Sequence, residues 1–155
     1  MRAAARRPSL ASRRSGYLSA ATINAAMWWL LNHWPGWQEL SFLTARTSDV
    51  LWLVNLSLGV GVAVNLVYTV KDPPWLRALG DLLSAAVGLV AAGRVWQVFP
   101  FDFSGYSVSW AVLARVALVI AIAGCIIGML VQLVTLTRLA VTRRAPAERR
   151  TEARQ

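Results

Sequence analysis

The residues able to do chemistry in this chain are few, and most are charged groups at the margins of long apolar runs. Asp49, Arg94 and Arg115 fall near the ends of such runs, with His33, Glu39 and Asp102 just outside them. An arginine within a membrane helix costs about 2.5–3.5 kcal/mol at mid-bilayer and less near the interface, so each is a functional candidate by default. Two arrangements are open. In the first, Arg94 and Arg115 converge on an anionic ligand or a lipid headgroup. In the second, Asp49 pairs with one arginine while the other extends its guanidinium to the headgroups, and the positions near helix ends favour this one. A second candidate group is Asp81 with Asn65, close in sequence to Lys71 and Arg77. A carboxylate there acts as a proton relay if it faces a dry interior. The alternative, favoured by its shallow position, is an ion pair or hydrogen bond near the interface.

Other chemistries lack their residues. The chain has one cysteine, Cys125, and one histidine, His33. A lone thiol has no neighbour for disulfide exchange, and a lone imidazole makes neither a bis-histidine haem site nor a transition-metal cluster. There is no Gly-rich phosphate loop and no nucleophilic triad at these depths. No cofactor, no metal and no enzymatic activity are expected. Asn55 and Asn65 read as interhelical hydrogen-bonding residues, each worth about 1 kcal/mol.

The elements that must position these groups are apolar helices. Val116–Thr137 contains no charge and lies between Arg115 and Arg138. As a helix it is about 33 Å long, against about 30 Å of hydrocarbon in a bilayer. Three more runs precede it, giving spans over 16–34, 48–70, 75–98 and 108–137. Pro35-Gly36, Lys71-Asp72-Pro73-Pro74 and Phe99-Pro100 punctuate them, since proline cannot continue a helix. Thr47 or Ser48 is placed to cap the second span, with Asp49 in its first turn. WQELSFL suggests a short interfacial helix, and Trp28, Trp29, Trp34 and Trp37 an aromatic belt at the headgroup level. Small and polar residues recur at heptad offsets: Ala114, Ala117, Ala121, Gly124 and Gly128; Ala78, Asp81, Ala85, Gly88 and Ala92; Asn55, Leu58, Val62, Asn65 and Thr69. Such seams favour left-handed crossing. The expected fold is all-α, a polytopic four-transmembrane-helix bundle with the seams inward, Gly124 and Gly128 being an alternative dimer face.

Composition agrees. With 57% hydrophobic residues, 155 residues cannot cover themselves with polar surface in water. The net charge of +9 is concentrated outside the apolar runs, which is a membrane-orientation signal rather than a nucleic-acid one. Residues 1–15 form a basic tail expected to be disordered, and 138–155 a charged one. Arg13-Arg14 faintly matches a twin-arginine signal, but no small-residue cleavage site follows, so the first span is expected to be retained. The two tails and the 71–77 connection hold thirteen of the sixteen basic residues, and the opposite loops only Arg46. Both termini are therefore expected on the cytoplasmic side of a bacterial plasma membrane.

The segments Trp34-Pro35-Gly36-Trp37-Gln38, Asp72-Pro73-Pro74-Trp75 with Ala78-Leu79-Gly80-Asp81, and Trp96 through Phe103 resemble a group of uncharacterised four-span membrane proteins of actinobacteria. The resemblance covers residues 17–136 and implies topology and source alone. Small multidrug exporters also have four short spans, but the first span here has no acidic residue to exchange protons. The functional expectation is a non-enzymatic accessory protein binding membrane lipids, anionic ones above all, or another membrane protein. The alternative is a small transporter or channel subunit acting as a homo-oligomer.

Overall fold

The computed structural model describes residues 9–105 and 109–152, with side chains to residue 142. Arg2, Arg6, Arg7 and Arg154 lie outside the described residues, as do the side chains of Arg143, Arg144, Arg149 and Arg150. The chain is helical: α1 (Leu10–Asn32), α2 (Ser48–Val70), α3 (Pro74–Val98) and α4 (Trp110–Glu152), with no strand among the described residues. Three segments are long and apolar enough to cross a membrane: Ala45–Val70, Pro74–Val98 and Trp110–Thr142. The first helix is not in that set.

Local chemistry sets the helix ends. Ser9 caps α1, its hydroxyl accepting the Ser12 N–H at 3.2 Å. Residues 10–15, expected in a disordered tail, therefore belong to the helix. At the other end the chain turns through Pro35 and Gly36, whose φ of +85° suits glycine. The helix expected over WQELSFL is one 3-10 turn, Trp37–Glu39. A second such turn, Ala45–Thr47, feeds helical backbone directly into α2, so neither Thr47 nor Ser48 caps it. Thr47 has a buried hydroxyl without a hydrogen-bond partner among the described residues, and the Ser48 hydroxyl donates to the Ala45 carbonyl at 2.9 Å. Pro74 occupies the first turn of α3, where the missing N–H costs nothing. That helix ends on Phe99 in the left-handed region, φ 43°, with Pro100 next. Helix α4 continues well past Thr137, for 43 residues in all or about 65 Å.

Successive helices pack antiparallel, α1 on α2, α2 on α3 and α3 on α4, while α1 and α4 share no comparable contact. Among the described residues the molecule is thus an open succession of helices, not the closed bundle expected from the seams. Its interior is thin. Ala21, Val50, Leu53, Tyr68, Ala78, Ala91 and Val98 are buried, and the most apolar window of α4 has no buried residue. Asp81, Ala85 and Gly88 do face α4, meeting Gln132, Gly128 and Cys125. The α4 side of the seam is shifted from the expected one: Ala117, Ala121 and Gly124 are exposed, and Leu118, Ile122 and Cys125 are half-buried instead. Ala114 and Gly128 at the ends of the stripe stay half-buried, and between them the contact line runs one position, about 100° of rotation, from the expected one.

The two loops at the end opposite Lys71 are joined. Thr44 N–H donates to the Pro100 carbonyl at 3.0 Å, and Asp102 N–H to the Phe42 carbonyl at 2.9 Å, around an antiparallel Leu43–Phe101 bridge. Phe42, Phe103 and Phe101 stack in sequence, with centroids about 6 Å apart. Buried Pro100 seats this junction.

Candidate functional site

A chain of polar and aromatic contacts near the Lys71 end touches all four helices. Tyr17 of α1 meets Tyr68 of α2 edge to face at 5.4 Å. The Tyr68 hydroxyl lies 2.7 Å from the Arg77 carbonyl and 3.0 Å from Asp81 Oδ1, so one O–H faces two acceptors on α3. Asp81 Oδ2 accepts the Gln132 amide of α4 at 3.2 Å. Gly80 permits this geometry. A Cβ there would collide with the Tyr68 hydroxyl and stand 2.9 Å from both Tyr68 Cζ and Val64 Cγ1. The sequence folds this way because helix α3 presents Arg77, Asp81, Ala85 and Gly88 on one stripe, three or four residues apart.

Toward the Lys71 end, Asp72 lies between two arginines. Arg13 Nη1 of α1 stands 2.9 Å from Asp72 Oδ2, and Arg77 Nε of α3 stands 2.7 Å from Asp72 Oδ1. The second contact is an ion pair without hydrogen-bond alignment. Lys71, next to it, is exposed and makes no ion pair among the described residues. Leu139 of α4 shares a cavity with Trp75 of α3, so Arg138 belongs to the same level. One end of the molecule therefore holds Arg13, Arg14, Lys71, Arg77 and Arg138, and the Asp72 carboxylate there engages Arg13 and Arg77.

The other sequence-predicted residues do not assemble. Asn65 donates its amide to the Gly61 carbonyl on its own helix at 2.8 Å and does not join Asp81. At the opposite end, Arg94 Nη1 donates to Gln97 Oε1 of its own helix at 3.3 Å. Arg115 lies over the rings of Phe99 and Trp96, 4.3 and 5.4 Å from their centroids, a cation–π placement that needs no anion. Asp49 is exposed, with no ion pair among the described residues. The structure thus gives Asp49, Arg94 and Arg115 no common centre. His33 lies against Trp28 and Trp29. Asp102 accepts the Ser104 backbone N–H at 2.9 Å, which holds its carboxyl below the ordinary aspartate range.

Sequence reasoning weighed charge and missed Tyr68, Gln132, Arg13 and Asp72. Gln132 carries a readable signal, as the only amide in the charge-free run Val116–Thr137. Tyr68, one turn from Lys71-Asp72 in an aliphatic stretch, carries a weaker one. Among the described residues, no three His, Cys, Asp or Glu side chains approach closely enough to hold a metal. The cluster can cross-link helices, hold two arginines on one carboxylate, and offer an exposed carboxylate and a cationic rim to what surrounds it. The chain matches no family model, no curated protein and no solved structure.

Proposed function

We propose that this is a four-span protein of a bacterial plasma membrane, related in topology to the actinobacterial group it resembles, with both termini cytoplasmic. In this reading it works without catalysis or cofactor, as an accessory protein that docks on anionic lipid and on another membrane protein. The depth shared by α1 and α2 supports the fourth span. Their contacts run from the Asn32–Asn55 amide pair to the Arg13–Asp72 ion pair. Arg13 and Asn32 are nineteen residues apart on α1, about 28 Å of helix, so α1 accompanies α2 through that depth. Its asparagines are occupied: Asn24 donates to the Ala20 carbonyl and Asn32 meets Asn55, which lowers the cost of polar groups in lipid.

The observation that carries the docking reading is the cationic end, where Arg13 and Arg77 pair with Asp72 beside Lys71, which is exposed and has no ion pair among the described residues. Each Lys or Arg near an anionic leaflet contributes about 1 kcal/mol of attraction. Three of the protein's cavities are apolar, lined mostly by Leu and Val, which suits lipid or helix contact better than an aqueous path. Asp81, exposed within an apolar segment, favours the second reading, a small transporter or channel subunit acting as a homo-oligomer.

Native mass spectrometry of the protein in native-membrane nanodiscs separates the two. A monomer carrying a co-purifying protein or anionic lipid is expected. A homo-oligomer without either would transfer the assignment to transport, and ion flux in proteoliposomes would be the next measurement.

A further inference from the structure

We propose that the groove between α2 and α3 binds one acyl chain of an inner-leaflet anionic phospholipid, with Lys71 as the headgroup anchor. This deepens the docking reading and rests on its orientation. Two apolar cavities of about 280 and 380 Å³ lie along this seam. Val67 and Leu76 line both, so the cavities form one groove running from Ala63 and Leu83 to Val70 and Lys71. It opens on the α3 face of Leu76, Leu79 and Leu83, whereas Asp81 and Ala85 face α4.

Dimensions and charge select the occupant. From Ala63 to Lys71 is eight residues, about 12 Å, against about 15 Å for one leaflet of hydrocarbon. The groove ends at an ammonium that has no ion pair among the described residues, while Arg13 and Arg77 are engaged by Asp72. Lys71, Arg13, Arg77 and Asp72 together leave two positive charges at the mouth. An apolar slot one leaflet deep with a cationic rim is the complement of an anionic phospholipid.

The test is native mass spectrometry of full-length protein ejected from nanodiscs of equal phosphatidylglycerol and phosphatidylcholine. The wild type is expected to retain one phosphatidylglycerol per chain. Ala63→Phe and Leu83→Trp, both at exposed positions and both filling the groove, are expected to abolish retention. Lys71→Gln is expected to keep a bound lipid but lower the preference for phosphatidylglycerol about fivefold, the weight of one near-surface cation. A full-length variant with Arg143, Arg144, Arg149 and Arg150 changed to Gln is expected to retain the lipid. Wild-type retention in both groove-filling variants overturns the groove. If the tail variant alone loses the lipid, the groove falls and the basic end as a lipid-docking surface stands. A wild type that shows no preference for phosphatidylglycerol overturns both.

Discussion

The reciprocal Asn32–Asn55 pair offers the sharpest energetic test of how α1 is held. Each amide donates to the other's oxygen at 2.8 Å, and Asn32 also donates to the Trp28 carbonyl at 2.7 Å. Interhelical hydrogen bonds in membranes average about 0.6 kcal/mol and reach about 1.7, so two of them give a coupling of about 1–3 kcal/mol. Leucine at each position, singly and together, completes a double-mutant cycle. The singles are unequal. Asn32→Leu strands both ends of the Asn55 amide and is expected to cost about 1–2 kcal/mol. Asn55→Leu costs less, because Asn32 keeps its bond to Trp28. The double variant is expected to be more stable than the singles predict by addition, since two apolar groups replace a matched pair without leaving one orphaned. Unfolding in mixed micelles by added dodecyl sulfate, followed by tryptophan emission, reads all four proteins. A coupling below about 0.3 kcal/mol would refute both the pairing and the registration of α1 along α2.

Gly80→Ala is expected to cost about 1–3 kcal/mol by overpacking against Tyr68 and Val64. Gly59→Ala, where a methyl meets open space, serves as the control in the same unfolding assay. Arg115→Leu removes the cation from Phe99 and Trp96, costs about 0.5–1 kcal/mol and shifts Trp96 emission, while phosphate binding measured by calorimetry stays unchanged. Loss of phosphate binding there would restore Arg94 and Arg115 as an anion site. Asp102, with its carboxyl held low by Ser104, stabilises the paired loops above its ordinary value of 3.8 and loses that contribution as the pH falls through its lowered native value. Near-ultraviolet dichroism of the stacked phenylalanines should report this acid transition, and Asp102→Asn should remove it.

Much of the helical plan was legible in the chain because it depends on local chemistry. The end of α2 at Lys71, the start of α3 beside Pro73-Pro74 and its stop at Phe99-Pro100 came directly from proline, which lacks an N–H wherever it stands. Where an end depended on less local events, the reading slipped. Helix α1 begins at Leu10 because Ser9 caps it and Arg13 finds Asp72, and α4 continues well past the charge-free run that ends at Thr137. The candidate site was half legible. Asp81 stood out as a carboxylate in an apolar run, but its partners Tyr68 and Gln132 lie thirteen and fifty-one residues away. Asn65 was chosen for polarity and is turned to its own backbone.

Sequence alone determined that the last three segments are apolar enough to cross a membrane, where prolines stop them, and that basic charge collects at the tails and at one connection. These follow from transfer free energies and backbone stereochemistry, which belong to a segment whatever surrounds it. Tertiary structure alone decided that Asp72 is held by Arg13 and Arg77, that Arg115 rests on rings, that the two loops pair through Phe42 and Pro100, and that among the described residues α1 and α4 share no extensive contact. A side chain's partner depends on the rotation of its helix about the axis, at about 100° per residue. A one-position error in phase therefore turns a residue from its neighbour toward lipid, and no property of the segment itself sets that angle.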